Sequence, residues 1–289
     1  MSARPRGFID GWQPRADTQA LLDQVNRVLD EYAEQLPLTL RQIFYRLVGA
    51  YGFEKSERAY GRLGETLNKA RRARFVAMDA LRDDGFTSAV PITFEDEDDF
   101  FATIGTWAQD LRLDRQRGQP RRLALWCEAS GMVPQLQRIA EPFGVGVHSS
   151  GGFDSLTDKH RTGREWGGDP VTVLHLGDHD PSGVHCFSAL DEDVVAFALH
   201  YGGEIEFSRL AVTPAQARRF RLPSAPPKET DRRRFEGNET WQIEALDPRE
   251  IANIVRAAIE ARLDGAIFDE VIAEEKDIRQ AVLSQLGRR

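Results

Sequence analysis

Three carboxylates and one phenol stand where they could do chemistry together. Asp178 and Asp180, spaced i, i+2, close an apolar run at 171–177 and are followed by Pro181-Ser182-Gly183 and a helical pattern. Glu128 closes another apolar run at 122–128. Carboxylates at the carboxyl ends of buried strands, facing the start of the next helix, are placed to hold a hard divalent cation. If the two strands are neighbours, three like charges meet in one crevice and repel unless a cation neutralises them. Oxygen ligands without thiolates select Mg²⁺ or Mn²⁺ over Zn²⁺. Such an ion polarises a phosphate and stabilises a leaving oxygen. His175 and His179 flank the turn and read as hydrogen-bonding partners rather than ligands. The plainer reading of the Asp pair is a capped strand-to-turn junction, since Asp is common in turns.

The phenol is Tyr45. Its helix opens with Thr39-Leu-Arg-Gln42, a capping box in which the Thr hydroxyl takes the N3 amide and Gln42 reaches back. Leu40, Ile43, Phe44, Leu47 and Val48 share the apolar face, and the helical period turns Tyr45 towards the polar side. Arg41, four residues earlier, is adjacent to it. A phenol beside a guanidinium is a candidate nucleophile, because the cation favours the phenolate and can hold a phosphate. The plain alternative is a surface Tyr in a DNA contact or an interface.

The elements that must position these groups follow from periodicity. Leu21, Leu22, Val25, Val28, Leu29 and Tyr32 predict a first helix, ended by Pro37. A third helix spans 54–74, with Ala59, Tyr60, Leu63, Leu67 and Ala70 inward and Arg58, Arg62, Lys69 and Arg72 on another face. Helix, short turn and basic helix is the order of a helix-turn-helix with its last helix in the major groove. Stretches 75–81 and 89–94 are expected to form the β-wing of a winged helix. A helix over 96–113 is expected to carry Phe100, Phe101, Ile104, Trp107 and Leu111 inward. The stretch 112–122, with Gly118 and Pro120, is the best boundary between a domain at 16–113 and one at 120–289.

Beyond it, strands at 122–128, 145–148, 171–177 and 204–212 alternate with helices. The order predicts an α/β fold with a parallel sheet. A loop at 149–152, a helix over 153–166 and another over 182–199 fill the connections. A short helix starts at Thr213, and 248–263 and 267–286 read as amphipathic helices that dock on the sheet or pair across a dimer.

The net charge of −8 weighs weakly against nucleic acid, but Lys and Arg cluster at 55–74, 112–122 and 209–234, and distribution outweighs the sum. No apolar run approaches the roughly 20 residues of a membrane span, and no apolar segment follows the N-terminus as in a signal peptide. Two cysteines, Cys127 and Cys186, exclude a thiolate zinc cluster and a disulfide framework. The expected location is the cytoplasm, at the nucleoid.

Leu125-Trp-Cys-Glu128 and, some fifty residues later, Leu176-Gly-Asp178-His-Asp180-Pro-Ser-Gly183 resemble the two acidic motifs of the Toprim domain. The Asp-x-Asp-Pro-Ser-Gly form is similar to that of the family of the topoisomerase VI A subunit and the meiotic double-strand-break transesterase. Thr39-Leu-Arg-Gln-Ile-Phe-Tyr45-Arg resembles that family's winged-helix motif, in which an Arg precedes the catalytic Tyr by four residues. The resemblance covers about residues 16–212. Leu222-Pro-Ser-Ala-Pro-Pro-Lys228 and Trp241-Gln-Ile-Glu244-Ala-Leu-Asp247-Pro look like the tail of compact bacterial and phage members.

The resemblance implies that Tyr45 is the nucleophile, Arg41 its phosphate-facing partner, and Glu128, Asp178 and Asp180 the acids binding Mg²⁺ or Mn²⁺. It implies a homodimer on double-stranded DNA, with the Tyr of one subunit serving the acids of the other, and a 5′-phosphotyrosyl link. Strand passage, as in a type IIB topoisomerase, would need a separate GHKL ATPase subunit. The chain departs from the family in being shorter and in carrying Phe44 where many members have a second Tyr. Two other readings stay open: a Toprim nuclease that uses water, with Tyr45 structural, and a non-catalytic winged-helix DNA-binding protein.

Overall fold

The computed structural model describes residues 8–82, 91–149, 156–228, 231, 233 and 235–287. The chain starts with three helices. α1 (Ala16–Glu31) buries Leu22, Val25, Val28 and Leu29 at helical spacing. A two-residue strand, β1 (Leu38–Thr39), leads into α2 (Leu40–Tyr51), whose capping box between Thr39 and Gln42 forms as the sequence predicts. Gly52 ends α2 in the left-handed region, φ 65°, where only a residue without a Cβ sits at no cost. α3 (Glu57–Arg72) is capped by the Ser56 side chain. Leu38, Ile43, Leu47, Leu63 and Leu67, each under 2% exposed, join the helices into one core.

The β-wing expected over 75–81 does not form in that shape. Phe75 and Val76 pack into the helical core instead, and strand pairing starts only at β2 (Leu81–Arg82), which runs parallel to β1. Residues 91–94 are not in a strand, and 83–90 lie outside the described residues. α4 (Glu97–Gln109) is also a correction: Phe100 is 39% and Trp107 50% exposed, and Ala108 is its one buried residue. Its aromatic rings satisfy one another, Phe94 against Phe100 and Trp107, instead of entering a core.

The second half is the α/β sandwich. β3 (Arg122–Cys127), α5 (Val133–Ala140), β4 (Gly146–Ser149), α6 (Leu156–Glu165), β5 (Pro170–Leu176), α7 (Pro181–His200) and β6 (Glu204–Ala211) alternate. The four strands form one parallel sheet in the order β4-β3-β5-β6. β3 and β5 are central, and Leu123, Leu125, Val173, Leu174 and Leu176 are nearly or wholly buried, as strands covered on both faces must be. α5 and α9 (Pro248–Glu260), with the short α8 (Pro214–Arg219) between them in sequence, cover one face through Leu136, Ala217, Ile251, Val255 and Ile259. α7 covers the other through Leu190, Val194 and Ala198. Among the described residues no helix is long and apolar enough to cross a membrane.

α10 (Gly265–Leu286) packs against α4 and the 112–122 stretch. Glu275, 2% exposed, accepts from Arg115 Nε and Nη2 at 3.0 and 2.7 Å, from Leu113 N at 3.0 Å and from Arg279. Hydrogen bonding from Arg115, foremost, holds its carboxyl down at about 2. The stabilisation this brings is complete above the ordinary carboxylate range and is lost as pH falls through about 2. Removing one partner of a buried ion pair leaves the others uncompensated, at a cost of about 3 kcal/mol. Glu275→Gln should therefore lower the urea midpoint at pH 7, and the gap from the parent should narrow as the titration is repeated between pH 4 and 2.

Candidate functional site

The register of the sheet builds the acidic rim. Cys127 pairs with Leu176, so Glu128 and Gly177 leave neighbouring strands side by side, and Glu128 N donates to Leu176 O at 2.9 Å. The Glu128 carboxylate then accepts from Asp178 N through Oε2 at 3.1 Å. Asp180 ends the turn as the N-cap of α7, its Oδ1 accepting from Gly183 N at 2.7 Å. Asp178 Oδ1 accepts from Ile243 N at 2.8 Å. Two glycines make this crowding possible. A Cβ on Gly177 would lie 2.8 Å from Glu128 Oε2, and one on Gly183 2.3 Å from Asp178 O.

The rim is electrostatically uncomfortable. Burial first, and Asp178 next, push the Glu128 carboxyl up to about 7. Burial also raises Asp178, with Asp180 adding to it and the bond from Ile243 N opposing. The compensating cation is Arg209 on β6. Its Nη2 donates to the carbonyls of Gly177 (3.0 Å) and Asp178, while Nε and Nη1 are buried without a hydrogen-bond partner among the described residues. His175, 2% exposed, is pushed down to about 3 by burial and then by Arg209, so it is neutral. The ring of His179 lies between Phe235 and Trp241, at 5.2 and 5.7 Å. Both histidines are thus packed against aromatic rings, His175 on Phe187 at 4.7 Å.

Glu128, Asp178 and Asp180 are brought to one rim. One oxygen of each is occupied by a backbone amide, and among the described residues no three His, Cys, Asp or Glu converge into a ligand set. The donor chemistry nonetheless fits a hard divalent cation: three carboxylates, no thiolate, and one acid whose charge is suppressed by burial first and then by Asp178.

Tyr45 is the main correction at the site. It is 8% exposed, not on a polar face, and belongs to the helical core. The side of α2 that would face water is covered by the stretch around 241–247. Tyr45 Oη donates to Gln242 Oε1 at 2.6 Å. Arg41 does lower the phenol's pKa, but burial outweighs it and Asp178 and Glu244 add to the rise, to about 12. Arg41 itself pairs with Glu244 at 3.5 Å with its side chain 42% exposed. Glu244, 7% exposed, also accepts from Thr39 Oγ1 at 2.6 Å.

A cleft of about 490 Å³ opens between the helices and the sheet. Arg41, Tyr45, Lys55 and Tyr60 line it from one side, Asp180 and Ser182 from another, and Lys228 and Gln242 from the C-terminal segment. Glu128 and Asp178 are not among its lining residues. Arg58, Arg62, Lys69 and Arg72 do not line it either. The first three are exposed on α3, Lys69 lies 4.9 Å over the Trp12 ring, and Arg72 Nε donates to Asn68 at 3.0 Å. Of the basic cluster at 209–234, Arg233 also lines the cleft and pairs with Asp231 at 3.1 Å. Arg232 and Arg234 lie outside the described residues. Arg209, Gln242 and the structural role of Glu244 escape a reading by periodicity; the one signal for the latter two is the Trp241-Gln-Ile-Glu244 string itself.

Because the folded protein raises the Glu128 carboxyl to about 7, its ionisation opposes folding from the ordinary carboxylate range upwards. Glu128→Gln, which keeps an oxygen for Asp178 N, should melt at a higher temperature than the parent at pH 8 in chelator, and at the same temperature near pH 4. No protein-family model, no curated protein and no solved structure matches this chain.

Proposed function

We propose that the chain is a divalent-metal-dependent DNA-cleaving transesterase of the kind the topoisomerase VI A subunit represents. The observation that carries this reading is the shared cleft: Tyr45 and Arg41 line it together with Asp180. Tyr45 attacks a backbone phosphate and takes the 5′ side, releasing a 3′-hydroxyl. Arg41, half-exposed into the cleft, takes up charge on the phosphate. A cation held by Glu128, Asp178 and Asp180 would supply charge neutralisation at the leaving oxygen. The three N-terminal helices act as a winged-helix-like DNA module, with Arg58, Arg62, Lys69 and Arg72 on the duplex backbone. Two copies cut both strands, in the cytoplasm at the nucleoid, and strand passage would call for a separate GHKL ATPase.

One observation favours the hydrolytic nuclease as a second reading. Tyr45 is buried, donates to Gln242 and is raised to about 12, burial first, so its phenol must be freed before it can attack. Trapping with denaturant after incubation with Mg²⁺ and labelled duplex separates the two. A protein–DNA adduct on 5′ ends is expected from the parent, none from Tyr45→Phe, and adduct formation slower by about 10²-fold from Arg41→Ala. Cleavage retained by Tyr45→Phe sinks the transesterase.

Neutralising phosphates with side chains makes binding salt-dependent, with a slope in log K against log salt of about one per contact. Arg58→Ala and Arg62→Ala together should weaken binding alike on unrelated duplexes and reduce that slope by about two, measured by fluorescence anisotropy. An unchanged slope removes α3 from the interface.

A further inference from the structure

We propose that the segment 241–243 couples the acid turn to the nucleophile: a divalent cation at Asp178 and the hydrogen bond from Tyr45 to Gln242 oppose each other, so that the cation frees the phenol. This rests on the metal and nucleophile roles proposed above and adds a regulation of that same site. It holds equally where the freed Tyr45 goes on to serve the acids of a second copy.

Three successive residues each hold a different part of the site. Trp241 N donates to His179 O at 3.0 Å and Trp241 O accepts from His179 N at 2.8 Å, which pins Trp241 to the residue between the two aspartates. Gln242 Oε1 accepts from Tyr45 Oη at 2.6 Å. Ile243 N donates to Asp178 Oδ1 at 2.8 Å. Trp241 and Ile243, 6% and 0% exposed, are anchored in the core of the sheet. Gln242 between them is half-buried and lines the cleft, so its side chain is the one with room to move.

The link is one peptide unit. The N–H of Ile243 lies in the same rigid plane as the carbonyl of Gln242. That plane hinges on the Gln242 Cα, where the backbone is extended at φ −95° and ψ 140°. A change in how Asp178 holds the N–H therefore tilts the root of the Gln242 side chain. The bond from Ile243 N gains strength from the charge on its acceptor. A cation that neutralises the Asp178 carboxylate removes that assistance, whichever oxygen it takes. A hydroxyl bond holds only out to about 3 Å, so a small displacement of the Gln242 amide ends the bond from Tyr45. Both partners line the cleft and turn to solvent there. Gln242 is thereby a positioning residue, acting on the nucleophile through a bond that the acid turn controls.

Coupling of this kind is reciprocal. A cation that weakens the Tyr45 bond is itself bound more weakly, by the same factor, while that bond is made. Two uncharged substitutions remove the bond. Tyr45→Phe takes away the donor and keeps the ring in the core, and Gln242→Met takes away the acceptor at similar length. Neither alters the charge of the rim.

The test measures Mn²⁺ binding to the full-length protein without DNA, by electron paramagnetic resonance of the free ion. Tyr45→Phe and Gln242→Met are each expected to bind Mn²⁺ about 5-fold or more tightly than the parent. The double variant should bind no more tightly than either, because all three lose one and the same bond. An unchanged or weakened affinity in Tyr45→Phe overturns the inference, as do additive gains in the double variant and a parent that binds no Mn²⁺. A second measurement leaves the parent's side chains in place. The chain has five tyrosines, so with meta-fluorotyrosine incorporated the Tyr45 fluorine resonance is assigned by its absence from Tyr45→Phe. It should move as Mg²⁺ is added to the parent and stay in place in Gln242→Met. A resonance that stays in place in the parent, or moves as far in Gln242→Met, overturns the coupling. Trapping on DNA is a separate readout. A parent that shows the coupling but traps no DNA fails the transesterase reading, and one that traps DNA without the coupling fails this inference alone.

Discussion

Two hydrophobic cores share one short segment, and the candidate site exists because they do. Between Trp241 and Asp247 the backbone first pairs with the acid turn: His179 N donates to Trp241 O at 2.8 Å and Trp241 N to His179 O at 3.0 Å. Trp241, Ile243 and Leu246 then drop into the core of the sheet, while Ala245 drops into the core of the helices. The polar side chains between them do the rest: Gln242 takes Tyr45, and Glu244 takes Thr39 and Arg41. Unpairing a buried polar group is costly, so these bonds between the two halves of the chain favour the one relative position in which they form.

That constraint explains the electrostatics on both sides of the cleft. The acid rim is crowded because parallel register places Glu128 beside the turn, and glycines at 177 and 183 let it come so near. Arg209 is the internal cation that makes the crowding tolerable, yet its bonds go to backbone carbonyls and not to the carboxylates themselves. The acids thus keep their mutual repulsion, which is the property a cation site requires. On the other side, burial under the docked segment raises the Tyr45 phenol to about 12, so it stays protonated.

Much of the fold could be read from the chain alone because it depends on neighbours in sequence. The capping box at Thr39 and Gln42, the alternation of strands and helices, and the carboxylates after two apolar runs are all local. α9 and α10 fall close to where amphipathic spacing puts them. The failures are of one kind. Helical period put Tyr45 towards water, but the group that covers it comes from 197 residues further on. The same period put the aromatic residues of α4 inside, where Phe100 and Trp107 in fact remain partly exposed. Periodicity reports that a face is apolar, not that anything is present to bury it.

The sequence by itself determined the residue types and the strand ends: three carboxylates, a phenol with a guanidinium four residues before it, and a parallel sheet to carry the acids to one rim. Local hydrogen bonding and side-chain period suffice for that. Only the tertiary structure decided that the phenol and Asp180 open on one cleft with Glu128 and Asp178 outside its lining, that the phenol is buried and bonded to Gln242, and that Arg209 bonds to the carbonyls of the acid turn. Those facts rest on pairings between segments far apart in the chain, whose energies come from burial and polar satisfaction and leave no periodic trace in the sequence.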